Sequence, residues 1–286
     1  DQGMTDHHAV SLERANRLVG ALTRRMAERP QPPNGTLYTG IDLGTAYVVL
    51  TVVDARGNPV DAACTFAEVV RDGLVVDFVS AVNIVRRLKA QLEERLGQEL
   101  LYGAAAYPPG TGSRDIQTHR YVAEGAGFEV LAMVDEVDAA NRVLGLTNGA
   151  VVDVGGGTTG IAVLQNGCVV HTADEPTGGT HFTLVVAGAH QIPFHQAEEM
   201  KKDPSRHREI LRLVTPVIQK VGSIVQRHIA PYDVGTVVVV GGTAKLTGFD
   251  QVLEKELGRT VIRPDEPLLV TPLGIAMAAA EAGEHQ

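Results

Sequence analysis

Apolar positions along the chain follow a helical period in some stretches and a strand period in others. In residues 10–29, Ala15, Leu18, Val19, Leu22 and Met26 recur at helical spacing, with Arg14, Arg17, Arg24 and Arg25 elsewhere on the surface. The proline-rich residues 30–35 end that helix. Residues 1–35 thus read as an amphipathic helix and a stiff linker. The helix could dock a protein partner or pack on its own domain.

From residue 36 the pattern changes. Residues 37–54 are rich in β-branched and apolar types, Gly57-Asn58-Pro59 turns the chain, and residues 60–70 continue the sheet. A helix follows over 78–96, with Val79, Val82, Val85, Leu88 and Leu92 on one face. A strand at 101–106, a helix near 114–124, a strand at 130–134 and a short helix at 137–144 close the first half. In the second half helices are expected at 181–190, 197–202 and 206–229, the last broken or bent around Pro216 and Gly222. Val237 to Val240 leave no polar face and predict a strand buried on both sides. A helix at 246–257, a strand at 260–262 and a helix at 272–282 finish the chain.

The pattern repeats. Tyr38-Thr39-Gly40-Ile41-Asp42-Leu43-Gly44-Thr45 resembles Ala150-Val151-Val152-Asp153-Val154-Gly155-Gly156-Gly157-Thr158. Each is an apolar strand with Asp near its end, a glycine turn with Thr, and a second apolar strand. The second strands reach further turns at Gly57-Asn58 and Asn166-Gly167. A repeat with the same strand–turn–strand context at a domain-sized interval points to duplication.

The repeated turns carry the candidate chemistry. A glycine hairpin lets backbone N–H groups face a phosphate, and Thr45 adds a hydroxyl. Asp42 and Asp153, at strand ends, could each hold a hydrated Mg²⁺ through its water shell. An ordinary Asp-Gly turn is the alternative for the first copy. It fits the second less well, because Gly155, Gly156 and Gly157 weaken a strand unless something approaches their backbone closely. Gly155, Gly157 and Gly160 also match a dinucleotide fingerprint, with Asp174 near the place of its ribose-binding acid. That motif needs a helix after the glycines, and a strand-like run into Asn166-Gly167 rejects it. Gly241 and Gly242, after the valine strand, could let a flat ring or sugar lie on the backbone, or could serve only packing. Glu198 and Lys201 share a helix face and could grip ribose and base, or could sit on a solvated charged turn.

Composition narrows the classes. The 286 residues are 44% hydrophobic and 21% charged, with 31 glycines, which fits a soluble globular protein of two ordinary domains. A net charge of −9 argues against a nucleic-acid partner. No apolar run approaches the roughly 20 residues of a membrane span, and no secretory leader is read, so a cytoplasmic protein is expected. Cys64 and Cys168, in apolar strand-like runs, predict buried free thiols. The histidines form no H-E-x-x-H pair, and His190 and His195 are separated by Pro193, so no metal site is expected from them. His7 and His8 lie in the tail.

In order, these motifs resemble the actin, DnaK-chaperone and sugar-kinase superfamily over about residues 36–282. The first hairpin looks like its phosphate-one motif, Asp153 to Thr159 like phosphate-two, and Val237 to Lys245 like its adenosine motif. Asp135-Glu136-Val137-Asp138-Ala139-Ala140-Asn141 is similar to the connecting helix of the chaperones, where the matching Glu positions the attacking water. Residues 176–180 and 197–201 are similar to segments of FtsA, PilM and MreB. Within the superfamily the short chain most resembles the ethanolamine-utilisation members.

The resemblance implies an α/β actin-like ATPase fold: two duplicated ribonuclease-H-like half-domains, at 36–148 and 149–270, with the nucleotide cleft between them and no large inserted subdomains. Residues 271–286 would form a C-terminal helix returning toward the first half. It implies ATP and Mg as ligands. Glu136, Asp42 and Asp153 would carry the catalytic roles, Asp42 and Asp153 holding Mg through water. Gly44, Thr45, Gly155, Gly156, Gly157, Thr158, Gly178, Gly179, Glu198, Lys201, Gly241, Gly242 and Lys245 would line the nucleotide. The lysine that the chaperones place over the γ-phosphate lies in the missing insertion, so slow hydrolysis is expected. The implied function is a slow ATPase with a chaperone-like or assembly role. Its protein partner would be an ethanolamine-pathway enzyme or a microcompartment shell component. A nucleotide-dependent scaffold with negligible turnover and a small-molecule kinase are the alternatives.

Overall fold

The computed structural model describes residues 10–29 and 31–286. His7 and His8 lie outside the described residues. Twelve strands and nine α-helices are described, and the two halves use the same plan. In the first, β1 (Leu37–Leu43), β2 (Tyr47–Asp54) and β3 (Pro59–Phe66) form an antiparallel meander. A small hairpin follows, β4 (Val70–Arg71) and β5 (Leu74–Val75). Then come α2 (Phe78–Leu96), β6 (Tyr102–Tyr107), α3 (Ser113–Gly125), β7 (Glu129–Asp135) and α4 (Glu136–Leu144). The second half runs β8 (Gly149–Val154), β9 (Thr159–Gln165), β10 (Cys168–Glu175), α5 (Gly179–His190), α6 (Phe194–Lys202), α7 (His207–Ile229), β11 (Thr236–Val240), α8 (Phe249–Leu257) and β12 (Thr260–Ile262). Strand orders β3-β2-β1-β6-β7 and β10-β9-β8-β11-β12 are the same order twice. Each sheet with its helices forms one lobe.

Each face of the two sheets has its own packing partner. Val237 and Val239 join the core of the second lobe, while Val238 and Val240 join a core shared between the lobes. A strand buried on both faces has no place for a polar residue. The shared core also holds Val137, Ala140 and Val143 of α4 and Leu273, Ile275 and Ala276 of the last helix, α9 (Pro267–Glu284). The helix α1 (Glu13–Glu28) buries Ala15, Val19 and Leu22 in the same core. Its apolar face is therefore spent on the protein itself, and of its two expected uses the docking of a partner through that face is overturned.

Other expectations shift at glycine and proline. Helix α7 runs unbroken past Pro216 and Gly222; Gly222 marks a close approach, since a Cβ there would stand 3.4 Å from Leu253 Cδ1 of α8. The helix expected from residue 246 begins at Phe249, after a 3₁₀ turn at Gly242–Lys245 and a left-handed Gly248. The last helix starts at Pro267, five residues before Pro272. Pro267 takes the first-turn position where a missing N–H is harmless. The strand expected through residue 70 stops at Phe66. Cys64 and Cys168 are exposed, because β3 and β10 are edge strands with one face uncovered. No described helix is long and apolar enough to cross a membrane.

Candidate functional site

The two glycine turns are the same structure. Gly44 N donates to Tyr47 O at 2.9 Å, and Gly155 N donates to Thr158 O at 3.0 Å. Each closes a four-residue turn between paired strands, so Gly44 matches Gly155, Asp42 matches Asp153, and Tyr47 matches Thr158. The turns meet. A Cβ on Gly156 would stand 2.7 Å from Ala46 Cβ, and one on Gly157 would stand 2.7 Å from Thr45 Oγ1. Only glycine lets the second turn lie this close to the first. They border one cleft of about 600 Å³, a volume suited to a small-molecule ligand.

Asp42, Glu136 and Asp153 line that cleft together. Strand β7 ends at Asp135, whose carboxylate caps α4 by accepting from Val137 N at 2.8 Å. That cap sets Glu136 at the first helical position, over the hairpins. Burial, and then Asp153, push the Asp42 carboxyl up to about 7. Burial pushes Asp153 up to about 6, against a hydrogen bond from Thr271 Oγ1 at 3.0 Å. Glu136 is raised well above the usual range by burial and by Asp42, Asp153, Asp174 and Asp135. Burial is the largest influence on all three, and neighbouring carboxylates add to it at Asp42 and Glu136. The described residues contain no cluster of three or more His, Cys, Asp or Glu side chains able to hold a metal directly. This donor set fits a divalent cation held through water better than one bound by the protein.

Glu198 and Lys201 are buried rather than on a solvated turn. Glu198 accepts from Thr183 Oγ1 at 2.6 Å and pairs with Lys201 at 3.1 Å. Lys201 Nζ also reaches Thr183 Oγ1 at 2.9 Å and Gly179 O at 3.3 Å. Burial lowers the Lys201 pKa, and Glu198 opposes it. Gly241 and Gly242 border the same cleft. Gly241 is at φ +93°, and a Cβ there would meet Asp153 Oδ1 and Val154. Lys245 sits at the rim, paired with Glu266 at 3.1 Å.

Asp42, Gly44, Thr45, Glu136, Asp153, Gly155, Gly156, Thr158, Glu198, Lys201, Gly241, Gly242 and Lys245 are thus gathered in one place. Gly157, Gly178 and Gly179 are not cleft-lining. Gly157 packs on Thr45, while Gly179 N and Thr180 N donate to Gly155 O at 2.8 Å and Gly156 O at 2.7 Å, bracing the second hairpin from behind. Sequence reading missed Tyr47, Thr243 and Thr271, which line the cleft. Tyr47 was findable, since it stands one repeat interval from Thr158. Asp174 is no ribose acid, because strand β9 follows the glycines where the dinucleotide motif needs a helix.

A duplicated sheet plan with hairpins facing across a cleft is the actin-like ATPase fold. The model of the cell division protein FtsA family matches residues 150–281. MreB5 of Spiroplasma citri bound to AMPPNP superposes with TM-score 0.70 at 16% identity, over 88% of this chain and 98% of that one. A chain of the PilM–PilN type IV pilus biogenesis complex does so with TM-score 0.69 at 14% identity, over 87% and 99%. The crystal structure of EutJ from Carboxydothermus hydrogenoformans is more similar, with TM-score 0.88 and 50% identity over 92% and 97%. The ethanolamine utilization protein EutJ of Salmonella typhimurium is 39% identical over 258 residues, 90% of this chain and 91% of that protein. The chain belongs to the EutJ family of ethanolamine utilization proteins.

Proposed function

We propose that the chain binds ATP in the cleft, hydrolyses it slowly, and uses the bound state to control its hold on a protein partner. The contact of Gly156 and Gly157 with Ala46 and Thr45 carries this reading, because it brings the glycine hairpins of both lobes to the border of one cleft. Glu198 and Lys201 would grip the ribose and base, and Gly241 and Gly242 would admit the ring. A divalent cation, held through water by Asp42 and Asp153, would offset phosphate charge in a cleft whose carboxylates repel it. Glu136 would take a proton from the attacking water, and its raised pKa suits that role.

Lobes 36–148 and 149–270 would close on ATP and reopen when the γ-phosphate contacts are lost. The partner we infer is an ethanolamine-pathway enzyme or a microcompartment shell component, met in the cytoplasm. The existence of PilM in a complex with PilN supports a protein partner in general.

A second reading is a scaffold with negligible turnover. Titration calorimetry with ATP and Mg²⁺ tests binding, and Asp153→Asn should weaken it at least tenfold. Equal binding by the variant would end the assignment. Phosphate release with and without candidate partners separates slow ATPase from scaffold.

A further inference from the structure

His207 joins two segments that border the cleft. It is the first residue of α7, it is buried, and it lines the cleft beside Lys201, Leu246 and Thr247. Its Nε2 lies 2.9 Å from Lys201 O, in the last turn of α6. Its Nδ1 accepts from Thr247 N at 3.1 Å, between the 3₁₀ turn and α8. Thr247 Oγ1 lies 2.9 Å from the same nitrogen.

These partners fix the form of the ring. A backbone N–H only donates, and a carbonyl only accepts. Nδ1 therefore holds the lone pair and Nε2 the hydrogen, and both nitrogens are engaged with backbone. His207 keeps no ring hydrogen for a ligand, so any part it plays in binding passes through what it holds.

What it holds is the nucleoside end of the cleft. The ring is bonded to the backbone of Lys201, whose Nζ reaches Thr183 Oγ1 at 2.9 Å and Glu198 Oε2 at 3.1 Å. The second segment, residues 242–247, has other anchors. Thr243 Oγ1 donates to Gly155 O at 3.0 Å, on the second hairpin. Arg263 Nη1 donates to Ala244 O at 2.7 Å and Leu246 O at 3.1 Å. Those bonds fix the segment to the hairpin and to the end of β12, and His207 adds the tie to α6. A rigid ring bonded at both nitrogens sets the distance from Lys201 O to Thr247 N. A slot for a flat ligand depends on such a distance being held before the ligand arrives.

Resting on the ATP reading, we propose that His207 is a positioning residue for the nucleoside, which fixes the separation of α6 from residues 242–247 so that base and ribose fit between them. The triphosphate end is built by the hairpins that close at Gly44–Tyr47 and Gly155–Thr158, and it does not use His207.

The test uses the full chain with Mg²⁺ and measures by calorimetry the affinity for ATP and for inorganic tripolyphosphate, which lacks the nucleoside. His207→Phe keeps a planar ring and removes both nitrogens. It should weaken ATP on the order of tenfold and leave tripolyphosphate within about twofold. His207→Gln keeps a donor and an acceptor on one planar amide, and should recover about threefold of the ATP affinity. Equal loss of both ligands is what a merely structural role gives, and it overturns the proposal. Wild-type ATP affinity in His207→Phe does so too, as does His207→Gln binding ATP no better than His207→Phe. Should His207→Phe fail to fold, His207→Gln is compared with wild type on both ligands, and equal losses again overturn it. Wild-type protein that binds neither ligand overturns the ATP reading as well.

Discussion

The Tyr47 hydroxyl donates to Glu198 Oε1 at 3.3 Å, joining a side chain of the first lobe to one of the second. Tyr47 closes the first hairpin, Glu198 lies on α6, and the bond crosses the cleft. Lys202 Nζ lies 5.2 Å from the centre of the Tyr47 ring, and Phe66 packs edge-on against that ring at 5.8 Å. A ribose hydroxyl reaching Glu198 would compete with Tyr47. Tyr47→Phe keeps the packing and deletes the bond, which is worth about 1 kcal/mol net. Association of a fluorescent ATP analogue, followed by stopped flow, should then speed about fivefold. An unchanged association rate would show that the contact does not hold the cleft.

The contact between the hairpins predicts a matched pair of effects. Gly156→Ala puts a methyl where Ala46 Cβ would be 2.7 Å away, so the turns must separate. The hairpin stays on the surface of a cleft, so the fold should survive, with an unchanged circular dichroism spectrum. Calorimetric ATP affinity should fall tenfold or more, about 1.4 kcal/mol. Adding Ala46→Gly removes the colliding atom and should restore part of the loss. A double variant as weak as the single one would place the damage elsewhere.

Buried carboxylates make stability depend on pH in a defined sense. Asp42 is raised to about 7 and Asp153 to about 6, from 3.8. The native state therefore holds protons that the unfolded chain has released, and the ligand-free protein loses stability as pH rises from about 4 to 7. Asp42→Asn removes the larger of the two. At pH 8 the variant should be more stable than wild type by about 1–4 kcal/mol, the upper figure being the full shift. Below pH 4 the two should converge. Urea denaturation at pH 5, 6, 7 and 8 measures this, and parallel curves for both proteins would refute it. Stabilisation by a substitution that also weakens Mg·ATP binding is the signature of a strained functional group.

The hairpins were legible because each needs glycine beside a strand-end aspartate, and that pattern lies within ten residues of chain. Helix α2 was legible residue for residue, since Asp77 caps its start by accepting from Ser80 N and the left-handed Gly97 ends it. The bond from Tyr47 to Glu198 escaped because the two lie 151 residues apart. The exposure of Cys64 was hidden for a related reason. An apolar strand sequence does not say which strand will lie at the edge.

The docking of α1 joins the two places where the chain crosses between lobes. Residues 145–148 lead from α4 to β8, and residues 263–266 lead from β12 to α9. Arg14 Nη1 donates to Arg142 O at 2.6 Å and Val143 O at 3.0 Å, the carbonyls just before the first crossing. Asn16 Oδ1 accepts from Asp265 N at 2.9 Å, within the second. Neither side chain belongs to the apolar face, so Arg14→Ala with Asn16→Ala should leave the helix docked. Hydrogen exchange should then quicken at 142–148 and 263–266 but not within β1 or β8, and ATP affinity should fall several-fold. Leu22→Ala acts on the other face, where a fully buried leucine is lost, and should cost about 2–4 kcal/mol in urea denaturation. Wild-type exchange at both crossings in the Arg14, Asn16 double variant would reduce α1 to packing alone. Faster exchange there with unchanged stability would identify it as a brace on the hinge.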